Sequence, residues 1–201
     1  MSIFTDAMFK IPYGLFLLSS RSGSKDCACI INTVQQVTDD PLRFSVTLNK
    51  RNYTHDIIVE SGILNVSDLT EQTPFSTIKR FGFSSARDTD KFQGITMKRS
   101  ENDIVYDDTS SNSLISGRVI SMTDCGTHTI FLADVTETII LSDATSLTYD
   151  HYRKYIKPSS SPKRKGFICR VCGYFYEGDE LPEGYICPLC GHGMADFVRT
   201  E

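Results

Sequence analysis

No stretch of this 201-residue chain approaches the roughly 18 to 20 consecutive apolar residues that a membrane-spanning helix needs. The opening, "MSIFTDAMFKIPYG", lacks a basic segment followed by an apolar one, so it does not read as a secretory signal peptide. Basic residues are not in excess. Against 25 Asp and Glu stand 21 Lys and Arg, a net charge of −4, which argues against nucleic acid as the main partner, because binding phosphates needs a basic surface. No G-x-G-x-x-G dinucleotide-binding fingerprint occurs. The expectation is a cytoplasmic protein with no membrane or nucleic-acid partner. In that setting seven cysteines read as thiols or metal ligands rather than as a disulfide framework.

What is present is ordinary globular material: 40% hydrophobic and 23% charged residues, enough for one domain of about 150 residues and a small appendage. The segment "IKPSSSPKRKG" (156–166) replaces apolar periodicity with serines, prolines and basic residues, as linkers do. The expected division is 1–156, a linker over 157–165, and a second unit over 166–201. Before the linker the chain reads mostly as strands. "YGLFLLSS" (13–20) and "CACIINTVQQVT" (27–38) flank a turn-like "RSGSKD", and Leu42, Phe44, Val46 and Leu48 alternate with polar residues. "GILNVSDL" (62–69) follows, and "GRVISMTD" and "HTIFLADVTETIIL" form a hairpin over "CGT". One helix is expected after "NYTHDIIVE", stopping near Gly62. A second opens with Thr73 as cap and Pro74 in its first turn, and helical character returns over 149–156. Many short strands with few helices predict a mainly β protein, an antiparallel barrel or sandwich.

"CRVCGYFYEGDELPEGYICPLCG" carries the strongest local signal. Cys169 and Cys172 are two residues apart, as are Cys187 and Cys190, with fourteen residues between the pairs. Two tight turns facing each other present four sulfurs tetrahedrally. Gly173 and Gly191 follow each pair, and glycine there permits positive φ, which turns backbone N–H groups toward the sulfurs. Zinc and iron both accept such a cage, and spacing alone favours the structural zinc ribbon. The intervening residues resemble the short rubredoxin module found at the end of rubrerythrins, from C-x-x-C-G-Y through E-G-D-x-x-P to C-P-x-C-G. That resemblance implies one iron held by Cys169, Cys172, Cys187 and Cys190; the aromatics Phe167, Tyr174, Tyr176, Tyr185 and Phe197 are themselves suited to a small apolar core around the metal.

In "NKRNYTHDII" a strand end runs into a helix start. Thr54 or Asn52 can cap that helix, and free N–H groups beside Lys50 can meet a phosphate, although a simply capped helix with a solvated lysine explains the same residues. The ordered set "CACIINTVQQVTDDPLRFSVTLNKRNYTHDII", "GILNVSDL", "IKRFGFSSARDTDKFQG" and "GTHTIFLADV" resembles the flavin-reductase-like FMN-binding split barrel over nearly all of residues 5–155. The resemblance implies FMN. Asn32, Thr33, Val34 and Gln35 would run beside the isoalloxazine; Asn49, Lys50, Asn52 and Thr54 would hold the phosphate; and Ser84, Arg87 and Lys91 would contact the cofactor from a closing loop. His128 would lie near the flavin, and the barrels would pair as a homodimer. Cys27 and Cys29 alternate on one strand and read as buried small hydrophobes rather than a redox pair.

Together the two resemblances imply an enzyme: an NAD(P)H-dependent flavoprotein that passes electrons to a fused rubredoxin iron. No acid–base residue is required, and the expected acceptor is a protein of the flavodiiron oxygen or nitric oxide reductase type. Two other readings stay open. One is a non-enzymatic FMN-binding electron carrier; the other is a flavin reductase carrying a structural zinc ribbon.

Overall fold

The computed structural model describes residues 10–87, 89–158, 165–171 and 173–200. The chain forms two compact units, Met1–Lys157 and Pro158–Glu201. Residues 159–164 of the expected linker lie outside the described residues.

The first unit is built on one antiparallel sheet of seven strands. In chain order these are β1 (Phe16–Ser22), β2 (Lys25–Ile31), β3 (Val34–Asp39), β4 (Leu42–Asn49), β5 (Ile63–Leu69), and two more separated by a short β6–β7 ribbon (Lys98–Arg99 with Val105–Tyr106). Those two, β8 (Ser111–Asp124) and β9 (His128–Ile140), make the long hairpin expected over "CGT". The order across the sheet is β2-β1-β5-β8-β9-β4-β3.

The stretch 27–38, which reads as one strand, is therefore two. β2 sits on one edge of the sheet and β3 on the other, joined only by Asn32 and Thr33. Three Cα steps reach about 10 Å, so the sheet must curl until its edges meet at this bridge. Beyond it the edges part, because β2 pairs with β1 and β3 with β4. This is a split barrel.

Burial follows from the curl. Phe44, Val46 and Leu48 of β4 alternate inward and join Leu18, Cys29, Val66, Phe131 and Ala133 in the barrel interior, whereas Leu42, at the strand's start, is exposed. β1 is buried on both faces. Leu18 faces the interior, while Leu17 belongs to a second cluster with Ala28, Ile78, Phe81, Leu147 and Tyr152. That explains the unbroken apolar run "LFLL". The outer cluster takes its cover from α2 (Phe75–Gly82) and from the helical stretch Tyr149–Ile156, whose second half is a π-helical turn.

The other helix, α1 (Tyr53–Ser61), begins at Asn52, whose side chain accepts a hydrogen bond from the Thr54 N–H. It ends at Gly62 in the left-handed region. Thr73 does not cap α2. Pro74 occupies that position without a side-chain bond, and the Thr73 hydroxyl donates instead to the Ser110 carbonyl, a tertiary contact that no local pattern announces.

The second unit is a three-stranded antiparallel sheet. β10 (Gly166–Cys169) lies between β11 (Phe175–Glu177) and β12 (Phe197–Thr200).

Candidate functional site

β4 ends at Asn49, and the chain turns at once into α1. The turn is tied by its own side chains: Asn49 Oδ1 accepts from the Arg51 N–H, and Asn52 from Thr54. Across the sheet Asn49 faces His128 in register, and the Lys50 N–H donates to the Thr127 carbonyl. The β8–β9 turn and the start of α1 therefore form one corner of the barrel. Lys50 Nζ lies 2.6 Å from Asp124 Oδ1. The Lys50 ammonium, helped by the Gly126 N–H, holds the Asp124 carboxyl below its usual range. His128 Nδ1 sits 2.8 Å from the Thr127 hydroxyl.

Thr33 and Val34 reach this corner through β4. The Thr33 hydroxyl donates to the Thr47 carbonyl, and Val34 pairs with Val46. Asn32 is half-buried and Gln35 exposed. Thr54 points the other way, into the barrel, with its hydroxyl 3.1 Å from the Cys27 sulfur. Burial raises the thiol pKa of Cys27, and raises that of Cys29 to about 11. Both therefore stay protonated at neutral pH, as small hydrophobes rather than nucleophiles.

The loop after α2 meets α1 from outside. Arg87 pairs with Asp56 at 2.5 Å and lies over the Tyr53 ring. Lys91 is only 4% exposed, and its ammonium donates to the carbonyls of Ala28 on β2 and Phe81 on α2. Burial lowers its pKa. Those two bonds fasten the loop to the barrel. Ser84 donates back to the Arg80 carbonyl. Of the three loop residues, Arg87 alone of the described side chains is directed at the α1 corner. Sequence reasoning did not single out Lys25, Tyr53, His55 or Asp124. His55 joins the corner through Thr129 at 2.9 Å and through edge contact with Phe131. These partners lie far apart in sequence, so no local motif could show them. The donors at the corner, amide side chains, hydroxyls and cations beside a capped helix start, suit an anionic phosphate ester.

In the second unit the sulfurs of Cys169, Cys187 and Cys190 lie within 4.8 Å of one another, and Cys169 Sγ is 3.6 Å from Cys190 Sγ. A tetrahedron with metal–sulfur bonds of about 2.3 Å has edges of about 3.8 Å, so the spacing fits a thiolate-bound metal. Cys172 lies outside the described residues. The two knuckles repeat each other. Gly173 N–H donates to Cys169 O and Gly191 N–H to Cys187 O, with both glycines at φ near +75°, where a side chain would be strained. Tyr176, Tyr185 and Phe197 stack edge to face beside the cage.

Comparison with known proteins agrees with both parts. Residues 8–157 match the flavin reductase like domain and residues 167–198 the rubrerythrin, rubredoxin-like domain. The chain belongs to the flavin reductase-like family and carries a rubredoxin-like domain C-terminal to it in sequence. It is similar to the high molecular weight rubredoxin of Moorella thermoacetica, 31% identical over 97% of this chain and 99% of that one. It is also similar to a ferric-chelate reductase (NAD(P)H) of Archaeoglobus fulgidus, 36% identical over 79% of this chain and 93% of that one. Its fold matches an FMN-binding protein of Thermus thermophilus with a TM-score of 0.63 at 14% identity, covering 70% of this chain and 78% of that one. No described helix is long and apolar enough to cross a membrane.

Proposed function

We propose that the chain draws electrons from NADH or NADPH in its barrel and hands them singly to an acceptor protein from its cysteine cage. The observation that carries this reading is the fusion itself: a flavin reductase-like barrel and a rubredoxin-like domain in one chain, similar over nearly its whole length to a high molecular weight rubredoxin. FMN, when bound, accepts a hydride and releases electrons one at a time, and iron in a four-thiolate cage carries one.

The chain's own residues bind and orient. Asn32, Thr33, Val34 and Gln35 line the ring side. Asn49, Lys50 and Asn52 form the phosphate corner, with Arg87 and His128 beside it, and Thr54 steadies it from the barrel side by donating its N–H to Asn52. Ser84 and Lys91 shape the closing loop, since their polar atoms are spent on backbone carbonyls. Cys169, Cys172, Cys187 and Cys190 hold the iron. No side chain need exchange a proton during hydride transfer. We place the protein in the cytoplasm as a homodimer, with a flavodiiron-type oxygen or nitric oxide reductase as acceptor.

Ending the chain after Lys157 is the test. The barrel then keeps flavin reduction by NAD(P)H but loses rapid delivery to a one-electron acceptor protein. Equal delivery with and without residues 158–201 overturns the outlet role. A colourless cage containing zinc supports the zinc-ribbon alternative, and the absence of flavin reduction by either nucleotide supports the passive carrier.

A second reading has its own support. The ferric-chelate reductase relative is 36% identical over 158 residues, 79% of this chain and 93% of its own length. Ferric chelates are thus a candidate acceptor served by the barrel directly, and their reduction would survive the same truncation.

A further inference from the structure

Beside the α1 corner lies a cleft of about 530 Å³ between the β1–β2 turn and the loop after α2, lined by Lys25, Asp26, Arg87, Asp90, Lys91 and Phe92 among others. Two cations from these separate elements converge on one ring. Lys25 Nζ lies 4.3 Å from the Tyr53 centroid and 3.0 Å from its hydroxyl, and the Arg87 guanidinium lies 4.8 Å from the same centroid. The two positive charges are therefore no more than about 9 Å apart, a distance at which like charges still repel.

Among the described residues, the carboxylates near them are shared with other groups. Asp26 is taken by Arg99, which grips both of its oxygens, and by Arg21. Asp90 accepts from the Phe92 N–H. Arg87 shares one nitrogen with Asp56, and among the described residues no carboxylate pairs with Lys25. Tyr53 is the first residue of the nine-residue α1, so the positive end of that helix adds to the field.

We infer that Lys25 and Arg87, seated on Tyr53, form a clamp for a phosphate monoester. Such a dianion bridges two cations and relieves their repulsion, and its oxygens suit the guanidinium fork. Lys25 is the new element. It opens β2 and is not among the residues that the resemblance assigns to the flavin. The inference rests on the flavin–nicotinamide reading above, which supplies two sources of such a group: the terminal phosphate of FMN and the 2′-phosphate of NADPH.

The experiment compares the full chain with Lys25→Met, Lys25→Arg and Arg87→Met by two ratios. These are affinity for FMN over riboflavin, and kcat/KM for NADPH over NADH. Removing one cation lowers one ratio about tenfold, the usual effect of losing a charge-assisted bond, and Lys25→Arg retains most of it. A fall in the flavin ratio assigns the clamp to FMN, and a fall in the nucleotide ratio assigns it to NADPH. Inorganic phosphate competes with the same ligand in the unaltered chain and competes less in Lys25→Met, which decides the matter even if Arg87→Met fails to fold. If neither ratio moves, or FMN and riboflavin weaken equally, the cations merely staple the loop and the inference falls. If the unaltered chain takes up no flavin, it is the underlying functional reading that fails instead.

Discussion

The two units of this chain are stabilised by opposite means. The barrel buries two hydrophobic clusters, one inside the curled sheet and one beneath its helical cover. In the C-terminal unit the buried hydrophobic side chains among the described residues are Cys169 and Cys187, which are themselves cage residues. The barrel has a core that exists before any ligand arrives. The smaller unit, read as a metal cage, gains its core when its thiolates share an ion. Apolar volume and metal coordination thus do the same structural task a few residues apart, and each fails under conditions that the other tolerates.

The sharpest separation comes from taking the metal away. Metal removal, or Cys187→Ser, should unfold residues 166–200 completely, because structural four-ligand metal sites contribute on the order of 10 kcal/mol to such small folds. Hydrogen exchange read by mass spectrometry should then show loss of protection there and no change across residues 16–140. Persisting protection in the metal-free unit would mean that the stacked aromatics suffice.

The converse change is Phe131→Ala, since Phe131 is fully buried at the centre of the barrel cluster. A cost of about 3–5 kcal/mol is expected, seen as a lower urea midpoint. The visible bands of the metal-loaded cage should be unaffected. Bleaching of those bands together with the barrel transition would show that the units are coupled.

How much of this contrast is legible in the sequence differs between the units. Cage ligands cluster within 22 residues at fixed spacing, so they can be read locally. Much of the barrel can be read too, through the alternation of β4 and the helix stop at Gly62. The break at Asn32–Thr33 cannot, because strand-forming residues lie on both sides of it and the strands part only when their partners, β1 and β4, are known. Lys25, Tyr53 and Arg87 are likewise remote in sequence, and their meeting is a product of the folded surface.

Acidity should also divide the units. Protons compete with metal for thiolates, so the cage weakens in acid. The barrel should weaken in alkali. Burial raises Cys29 from 9.0 to about 11. The folded state thus keeps a proton that the unfolded chain releases, and stability present below pH 9 is lost as pH rises toward 11. The amount is about 2–3 kcal/mol. Lys91 acts with the opposite sign, because its lowered pKa adds stability as pH rises toward 10.5. Comparing urea midpoints of the parent and Cys29→Ala between pH 8 and 11 isolates the thiol. Parallel curves would refute its role.

The smallest effect belongs to the corner. Asn52→Ala removes the α1 cap and should cost about 1 kcal/mol, with weaker FMN uptake and an unaltered cage spectrum. Undiminished uptake would place the flavin phosphate away from this turn.

The Asn32–Thr33 bridge leaves the barrel intolerant of slack at one spot. It works like the hook of a collar: seven strands form the band, and two residues draw its free ends together. Spacer residues spliced in at that hook would let the rim gape and spread the residues on either side of it. The same insertion at the exposed 40–41 turn would only lengthen the β3–β4 hairpin. Reporter tags therefore belong at that turn, while the two-residue hook sets the barrel's girth.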